Sequence, residues 1–276
     1  MNYNAIVQLV YDARKIARNK TFKAQVSMKG AADYVTQTDL EISRFIKSGL
    51  EEIAPGVAFV TEEEATHVNA EKRFILDPID GTTNLVRGYN KSSVSLGYCE
   101  GTTPVFGVVF DPFSGEMFFA IKGLGAYRYD AAHGISRLLN TGVENYRGEK
   151  LCVSALPPEQ AIIEFGAGST NKAAAEESFA LGRAVFEGCT DLRRICSTAL
   201  SLCYIAAGRI DGYFERRIKP WDYAAASLIL QEAGGKLSQW NGETLPYDKP
   251  STIVAGTPQV YDYVKSTIEN ARGGAV

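Results

Sequence analysis

Apolar positions near the start of the chain fall at helical spacing. Ile6, Leu9, Val10, Ala13, Ile16 and Ala17 form one stripe, which predicts an amphipathic helix over about Tyr3 to Asn19. The same period at Ile42, Phe45, Ile46, Leu50 and Ile53 predicts a second helix starting near Thr38, with Thr38 and Glu41 as its capping box. Lys29 to Thr38 is polar and contains glycine, so it reads as a loop or hairpin. Pro55-Gly56 closes the second helix, and Val57 to Val60 is a short strand. Phe74, Ile75 and Leu76 form an apolar run typical of a buried strand. Pro78 has no N–H to give, so pairing is expected to stop there. Ser92–Cys99, Pro104–Asp111, Glu116–Lys122 and Ala126–Tyr129 then alternate with Gly and Pro, the pattern of an antiparallel meander.

Asp130 to Lys150 is polar and irregular, which predicts a boundary between a lobe over 1–150 and a second over 151–276. In the second half Leu151–Ala155 and Ala161–Phe165 read as strands and Lys172–Glu187 as an Ala-rich helix. Ser197 to Ala207 is apolar nearly all round, so it reads as a buried helix stopped by Gly208. Asp211–Glu215 is strand-like. Pro220 opens another buried helix that runs through Ala224–Ala233 and ends at Gly234. Lys236–Trp240 and Thr252–Ala255 close a sheet, and Thr257–Ala271 is a final helix.

Composition narrows the function classes. With 276 residues, 45% hydrophobic and 22% charged, the chain can bury a large core. A net charge of -3 argues against nucleic acid held by bulk positive charge. No apolar run approaches the roughly 18 residues of a membrane span, so a cytoplasmic protein is expected. Cys99, Cys152, Cys189, Cys196 and Cys203 form no C-x-x-C pair and read as reduced core thiols. The histidines, His67 and His133, lie in polar stretches. That disfavours a histidine-rich zinc site and leaves oxygen ligands, hence Mg²⁺, Mn²⁺ or Ca²⁺.

The candidate chemistry centres on Arg73 to Asn84, R-F-I-L-D-P-I-D-G-T-T-N. Asp77 and Asp80 sit on one strand-to-helix turn and repel each other unless a cation lies between them. The amides of Gly81 and Thr82, at the start of a short helix, face an anion site. Glu62, Glu63 and Glu64 directly follow a strand. They are either a solvated loop or a source of metal ligands converging with Asp77 and Asp80 at one sheet edge. Asp39 lies in the first turn of a helix, where an acid also favours the dipole. Asp222, after Trp221, reads equally as an N-cap. Arg216, Arg217 and Lys219 are a solvated or dimer-facing run, or a clamp for a second phosphate.

Five features occur in order: D-x-V-T-x-T-D at Asp33–Asp39, E-E at Glu62-Glu63, D-P-I-D-G-T-x-N at Asp77–Asn84, W-D at Trp221-Asp222, and E-A-G-G at Glu232–Gly235. Over Lys29 to about Val254 this resembles the inositol monophosphatase family of Mg²⁺-dependent, lithium-sensitive phosphatases. The resemblance implies a layered α/β/α/β/α sandwich with two mixed β-sheets. It implies a metal-dependent phosphomonoesterase acting on a small polyol or sugar phosphate, inositol monophosphate first, and usually a homodimer. It assigns two to three Mg²⁺ ions, with Mn²⁺ as a substitute, to Glu62, Asp77, the Ile79 carbonyl, Asp80 and Asp222. Asp39, Glu62 and Thr82 would orient and deprotonate the attacking water. Glu63 would support the ligands around it. Asp80, Gly81, Thr82, Thr198, Glu215 and Asp222 would face the substrate.

The chain departs from the family pattern at Thr61, usually Gly, and at Cys196 and Thr198, usually small residues. These put the substrate rather than the chemistry in question. A bisphosphate or nucleotide-type substrate (fructose 1,6-bisphosphate, NADP or 3′-phosphoadenosine 5′-phosphate) is the alternative on the same scaffold. A phospho-aspartate mechanism needs D-x-D and finds Ile79 where its second acid belongs. A regulatory binding partner, for instance on an RNA-linked complex, is the non-enzymatic reading.

Overall fold

Strands that are apolar on both faces must be covered on both faces, and this sets the layering. The computed structural model describes residues 1–21, 25–30, 33–64, 69–168 and 175–273. The chain opens with α1 (Tyr3–Asp12), α2 (Arg14–Ala17), a hairpin of β1 (Val26–Gly30) and β2 (Asp33–Thr36), and α3 (Gln37–Ile53). Next come β3 (Ala58–Thr61), β4 (Lys72–Asp80), α4 (Thr82–Arg87), β5 (Ser93–Glu100), β6 (Thr103–Phe110), β7 (Glu116–Ile121), β8 (Gly125–Asp130), α5 (Ser136–Thr141) and β9 (Glu149–Lys150). Strands β3 to β9 form a sheet in sequence order, parallel between β3 and β4 and antiparallel elsewhere.

The rest of the chain runs β10 (Ile162–Phe165), α6 (Ala175–Phe186), β11 (Asp191–Arg193), α7 (Thr198–Ala206), β12 (Gly212–Ile218), α8 (Pro220–Glu232), β13 (Lys236–Ser238), β14 (Ser251–Gly256) and α9 (Pro258–Gly273). Its strands make a second mixed sheet in the order β11-β10-β12-β14-β13. Phe74 and Leu76 of β4 pack with α1 and α3 on one face, while Ile75 between them faces α7 and α8. Those two helices fill the space between the sheets. Tyr213, Ile253 and Ala255 of the second sheet close their other side. Ile163, Phe214 and Val254 face outward to α6 and α9. The result is the α/β/α/β/α sandwich expected.

Several local expectations change. The first helix is broken at Ala13 into α1 and α2. The capping box of α3 is Thr36 with Asp39, two residues earlier than Thr38 with Glu41. Phe45 is 37% exposed rather than part of the buried stripe. Pro78 does not end the pairing of β4: the ladder pairs Asp77 with Ser95, skips Pro78 and Ile79 as a bulge, and resumes at Asp80 with Ser93. Residues 130–150 hold α5 and β9 rather than a structureless linker. Leu151–Ala155 is not a strand. Its backbone makes only isolated bonds, Leu151 N–H to the Ala126 carbonyl and Val153 N–H to that of Ala233. Cys99 and Cys203 are buried, but Cys152 and Cys196 are exposed, so the core-thiol expectation holds for two of the five. His67 lies outside the described residues. Among the described residues no helix is long and apolar enough to cross a membrane.

Helix α8 can lie on the first sheet because glycines meet it. A Cβ on Gly107 would stand 2.9 Å from Ala225 Cα, and one on Gly97 would stand 3.0 Å from Ala225 N. Gly107→Ala should therefore lower stability by about 1–3 kcal/mol, the range for overpacking. Urea unfolding would measure it. An unchanged midpoint would mean that the helix has room to retreat.

Candidate active site

The site is built where β4 turns into α4. Gly81 joins them with φ of +88°, a conformation that favours glycine. A Cβ there would also stand 2.9 Å from the Lys91 carbonyl oxygen. Asn84, on the next turn, gives its two amide hydrogens to the carbonyls of Lys91 (2.7 Å) and Ile195 (2.6 Å). One buried amide thus fixes the turn against two other segments.

Asp80 is 7% exposed and accepts from Ser197 Oγ at 2.6 Å, Ala199 N at 2.7 Å and Thr198 N at 3.2 Å. It satisfies the open amides at the start of α7, so an acid from one sheet caps a helix of the other half. Burial pushes its pKa up to about 6 against those hydrogen bonds, and Glu62 adds to the rise. Asp77 accepts from the Ile79 N–H at 3.0 Å. Its pKa is raised by burial, then by repulsion from Glu62, Asp80, Asp222 and Asp39. Asp222 accepts from the Lys219 N–H at 2.8 Å as the third residue of α8. Burial raises it too, followed by repulsion from Asp80, Glu62 and Glu215. Asp77, Asp80 and Asp222 form no ion pair among the described residues. Lys219 Nζ lies 3.6 Å from Glu62 Oε1, and Glu64 pairs outward with Lys47 at 3.0 Å.

Beside this cluster, Asp39 Oδ2 accepts from Thr36 N (2.8 Å) and Thr36 Oγ1 (2.5 Å). Its other oxygen lies 3.2 Å from Thr82 Oγ1, which is also 3.0 Å from the Ile79 carbonyl. Thr82 has one proton for these two acceptors. Asp39 is 1% exposed, and burial pushes its pKa up to about 6. One oxygen of Asp39 thus caps α3, and the other lies toward Thr82.

A cleft of about 520 Å³ runs from Glu62, Asp80 and Asp222 to Glu215, with Arg194, Arg216, Arg217 and Lys219 along it. At its far end Tyr213 donates to Glu215 Oε2 at 2.5 Å and lies 3.0 Å from Thr198 Oγ1. With the phenolic proton committed to Glu215, Thr198 is the donor to Tyr213. Free lone pairs on Thr198 and Glu215 are then left facing the cleft. Glu215 is pushed up to about 7, mainly by burial. A Cβ on Gly166 would overlap the Glu215 carboxylate, so any larger residue there must push that side chain aside.

Does this arrangement suit a divalent cation? Among the described residues no three acids, histidines or thiols already stand in a closed ligand shell. The donor chemistry nonetheless fits. The donors are hard oxygens, buried or half-buried, and repulsion among them raises the proton affinity of Asp77, Asp80 and Asp222, so a cation relieves all three together. A profile of the inositol monophosphatase family matches residues 2–272. The chain belongs to the inositol monophosphatase family. It is 35% identical over 253 residues to Nus factor SuhB of Vibrio cholerae, covering 91% of this chain and 86% of that protein. It is 32% identical over 271 residues to inositol-1-monophosphatase of Rhizobium meliloti, covering 96% and 95%. The crystal structure of extragenic suppressor protein suhB from Bartonella henselae superposes with a TM-score of 0.84 at 30% identity, over 97% of this chain and 98% of that one.

Within this family member, sequence reasoning missed Ser197, Tyr213, Gly166 and the cross-linking role of Asn84. Ser197 had a signal, since it stands directly before an apolar helix. Tyr213 had one too, two residues before Glu215 on the same strand face. Gly166 and Asn84 act through contacts distant in sequence and left none.

Two outcomes follow. Asp39 has a folded pKa above its unfolded value, so its contribution to stability is full below about pH 4 and is lost as pH rises through about 6. Metal-free protein should lose about 2–3 kcal/mol between pH 4 and 7.5 through this group, from a shift of roughly two units. Asp39→Asn should flatten that part of the profile in denaturant titrations. An equal slope in both proteins would mean that Asp39 does not carry it. Gly166→Ala should displace Glu215 and leave metal binding intact, as checked by a crystal structure and calorimetry with Mn²⁺.

Proposed function

We propose that the protein is a Mg²⁺-dependent phosphomonoesterase acting on a small polyol or sugar phosphate, with inositol monophosphate as the leading substrate. The observation that carries this reading is the set of carboxylates formed by buried Asp77 and Asp80 and half-buried Asp222, with Glu62 beside them. They repel one another next to a helix-opening turn and a Thr82–Asp39 pair. Glu62, Asp77, the Ile79 carbonyl, Asp80 and Asp222 would hold two to three Mg²⁺ ions, or Mn²⁺ in their place. When bound, these ions supply charge stabilisation for the phosphoryl oxygens and acidify water.

The chain's own residues do the rest. Thr82 Oγ1 accepts a hydrogen bond from the attacking water while donating its proton to Asp39 Oδ1. Asp39, whose pKa of about 6 leaves it ionised near neutrality, is the acceptor for the proton released. Glu62 shares in orienting that water. The Gly81 and Thr82 amides hold phosphate oxygens. Thr198 and Glu215 accept from substrate hydroxyls, which suits a polyol. We place the enzyme in the cytoplasm as a homodimer.

A second substrate reading keeps the chemistry. Arg217 makes no ion pair or hydrogen bond among the described residues and lies along the same cleft as Arg194, which favours a substrate with a second anionic group. Relatives named Nus factor favour a non-catalytic role in addition.

Phosphate release from inositol 1-phosphate, fructose 1,6-bisphosphate, NADP and 3′-phosphoadenosine 5′-phosphate, with and without Mg²⁺, tests these together. Asp77→Asn and Asp222→Asn should lose metal binding and at least about a hundredfold in kcat together, given what metal-ion catalysis supplies. Thr82→Ala should lower kcat with metal still bound. Asp80→Asn with its fold intact and full activity would sink the enzymatic reading.

A further inference from the structure

Lys219 touches two members of the acidic cluster from opposite sides, and the proposed reaction gives it no role. Its backbone N–H donates to Asp222 Oδ2 at the start of α8. Its ammonium crosses the cleft to Glu62, which follows β3 in the other sheet. Its neighbours on the same strand and loop behave differently. Arg216 is held by Glu177 at 2.8 Å, and Arg217 makes no ion pair or hydrogen bond among the described residues. So one of the three cations in this run is directed at the carboxylates.

We propose that Lys219 is a built-in counter-ion for the site. It neutralises Glu62 in the metal-free protein and is displaced when a divalent cation enters. The inference rests on the metal-dependent reading above. An ammonium is a compact point charge on a flexible four-carbon stem, so it can occupy a cation's place and leave it. The side chain of Lys219 is 40% exposed against 19% for Glu62, so water is ready to take the ammonium back while Glu62 stays. The Trp221 ring, 5.3 Å from Nζ, offers a resting face near the cluster. A single charge cannot relieve three or four repelling carboxylates as a dication does, so the metal wins at sufficient concentration. Lys219 thereby sets how much metal is sufficient, and it holds Glu62 in reach of the site until then.

The experiment is calorimetric titration of Mn²⁺ into the metal-free protein, its Lys219→Met variant and its Arg217→Met variant, each checked for fold by circular dichroism. Lys219→Met should bind Mn²⁺ about three- to fivefold tighter, the scale of a partly exposed ion pair released from competition. Arg217→Met removes the same charge from the same wall without a contact to Glu62, and should change affinity less than twofold. Without metal, Lys219→Met should melt below the parent protein; with saturating Mg²⁺ the two should converge. Unchanged or weaker Mn²⁺ binding in Lys219→Met overturns the inference. Equal tightening in Arg217→Met overturns it as well, because a general field rather than the contact would then be responsible. Parent protein that binds no Mn²⁺ would defeat the metal reading itself, and this inference with it.

Discussion

Like charges gathered out of water are the constraint around which this chain is built. Asp77 and Asp80 come from one strand, β4, and Asp222 from helix α8; Asp80 and Asp222 raise the proton affinity of Asp77, and Asp80 raises that of Asp222. A carboxylate set of this kind costs stability wherever it is not neutralised. The surrounding structure therefore meets it with hydrogen bonds: Ser197, Thr198 and Ala199 to Asp80, Ile79 to Asp77, Lys219 to Asp222. Most of these donors are backbone amides at helix starts and turns. The two halves of the fold are thus joined at the point where their acids meet.

The central helices carry the mechanical side of the same arrangement. α7 and α8 are buried between the sheets, and their N-termini open at the acidic cluster. An apolar helix of this kind has no solvent face to fray, so Asp222 and the amides that hold Asp80 are fixed by packing. Close approach at Gly97 and Gly107 makes that packing tight. Thr82 and Asp39 come from the opposite side, where the capping box of α3 ties one oxygen of Asp39 and leaves the other to Thr82.

Much of this was legible in the sequence because it is local. The periodic stripe of α3, the meander after Asn90 and the all-apolar α7 follow from spacing alone. The acids of the site were visible as motifs at strand and helix ends. What was hidden depends on distant partners. Thr36 took the cap from Thr38 because Asp39, three residues on, returned the bond. Leu151–Ala155 has strand-like residues, yet its backbone bonds go singly to Ala126 and Ala233 instead of to a ladder. Phe45 fits the helical stripe but is exposed. Glu215 was placed by resemblance, and Tyr213, which donates to it, stands two residues earlier on the same strand. The division into lobes at 150 remains a proposal; β9 ends the first sheet there.

The bulge in β4 has a meaning beyond its two skipped residues. Side chains three apart on a regular strand point to opposite faces. Asp77 and Asp80 instead oppose Ser95 and Ser93, which are two apart and share a face. Pro78 and Ile79 together stand opposite the single residue Val94, so an odd separation acts as an even one and both acids are delivered to the same side. The meeting of these carboxylates is written in the length of the turn as much as in its letters. A family member could change either residue and keep the site, but ironing out the bulge while keeping the three-residue spacing would send its two acids to different sides of the sheet.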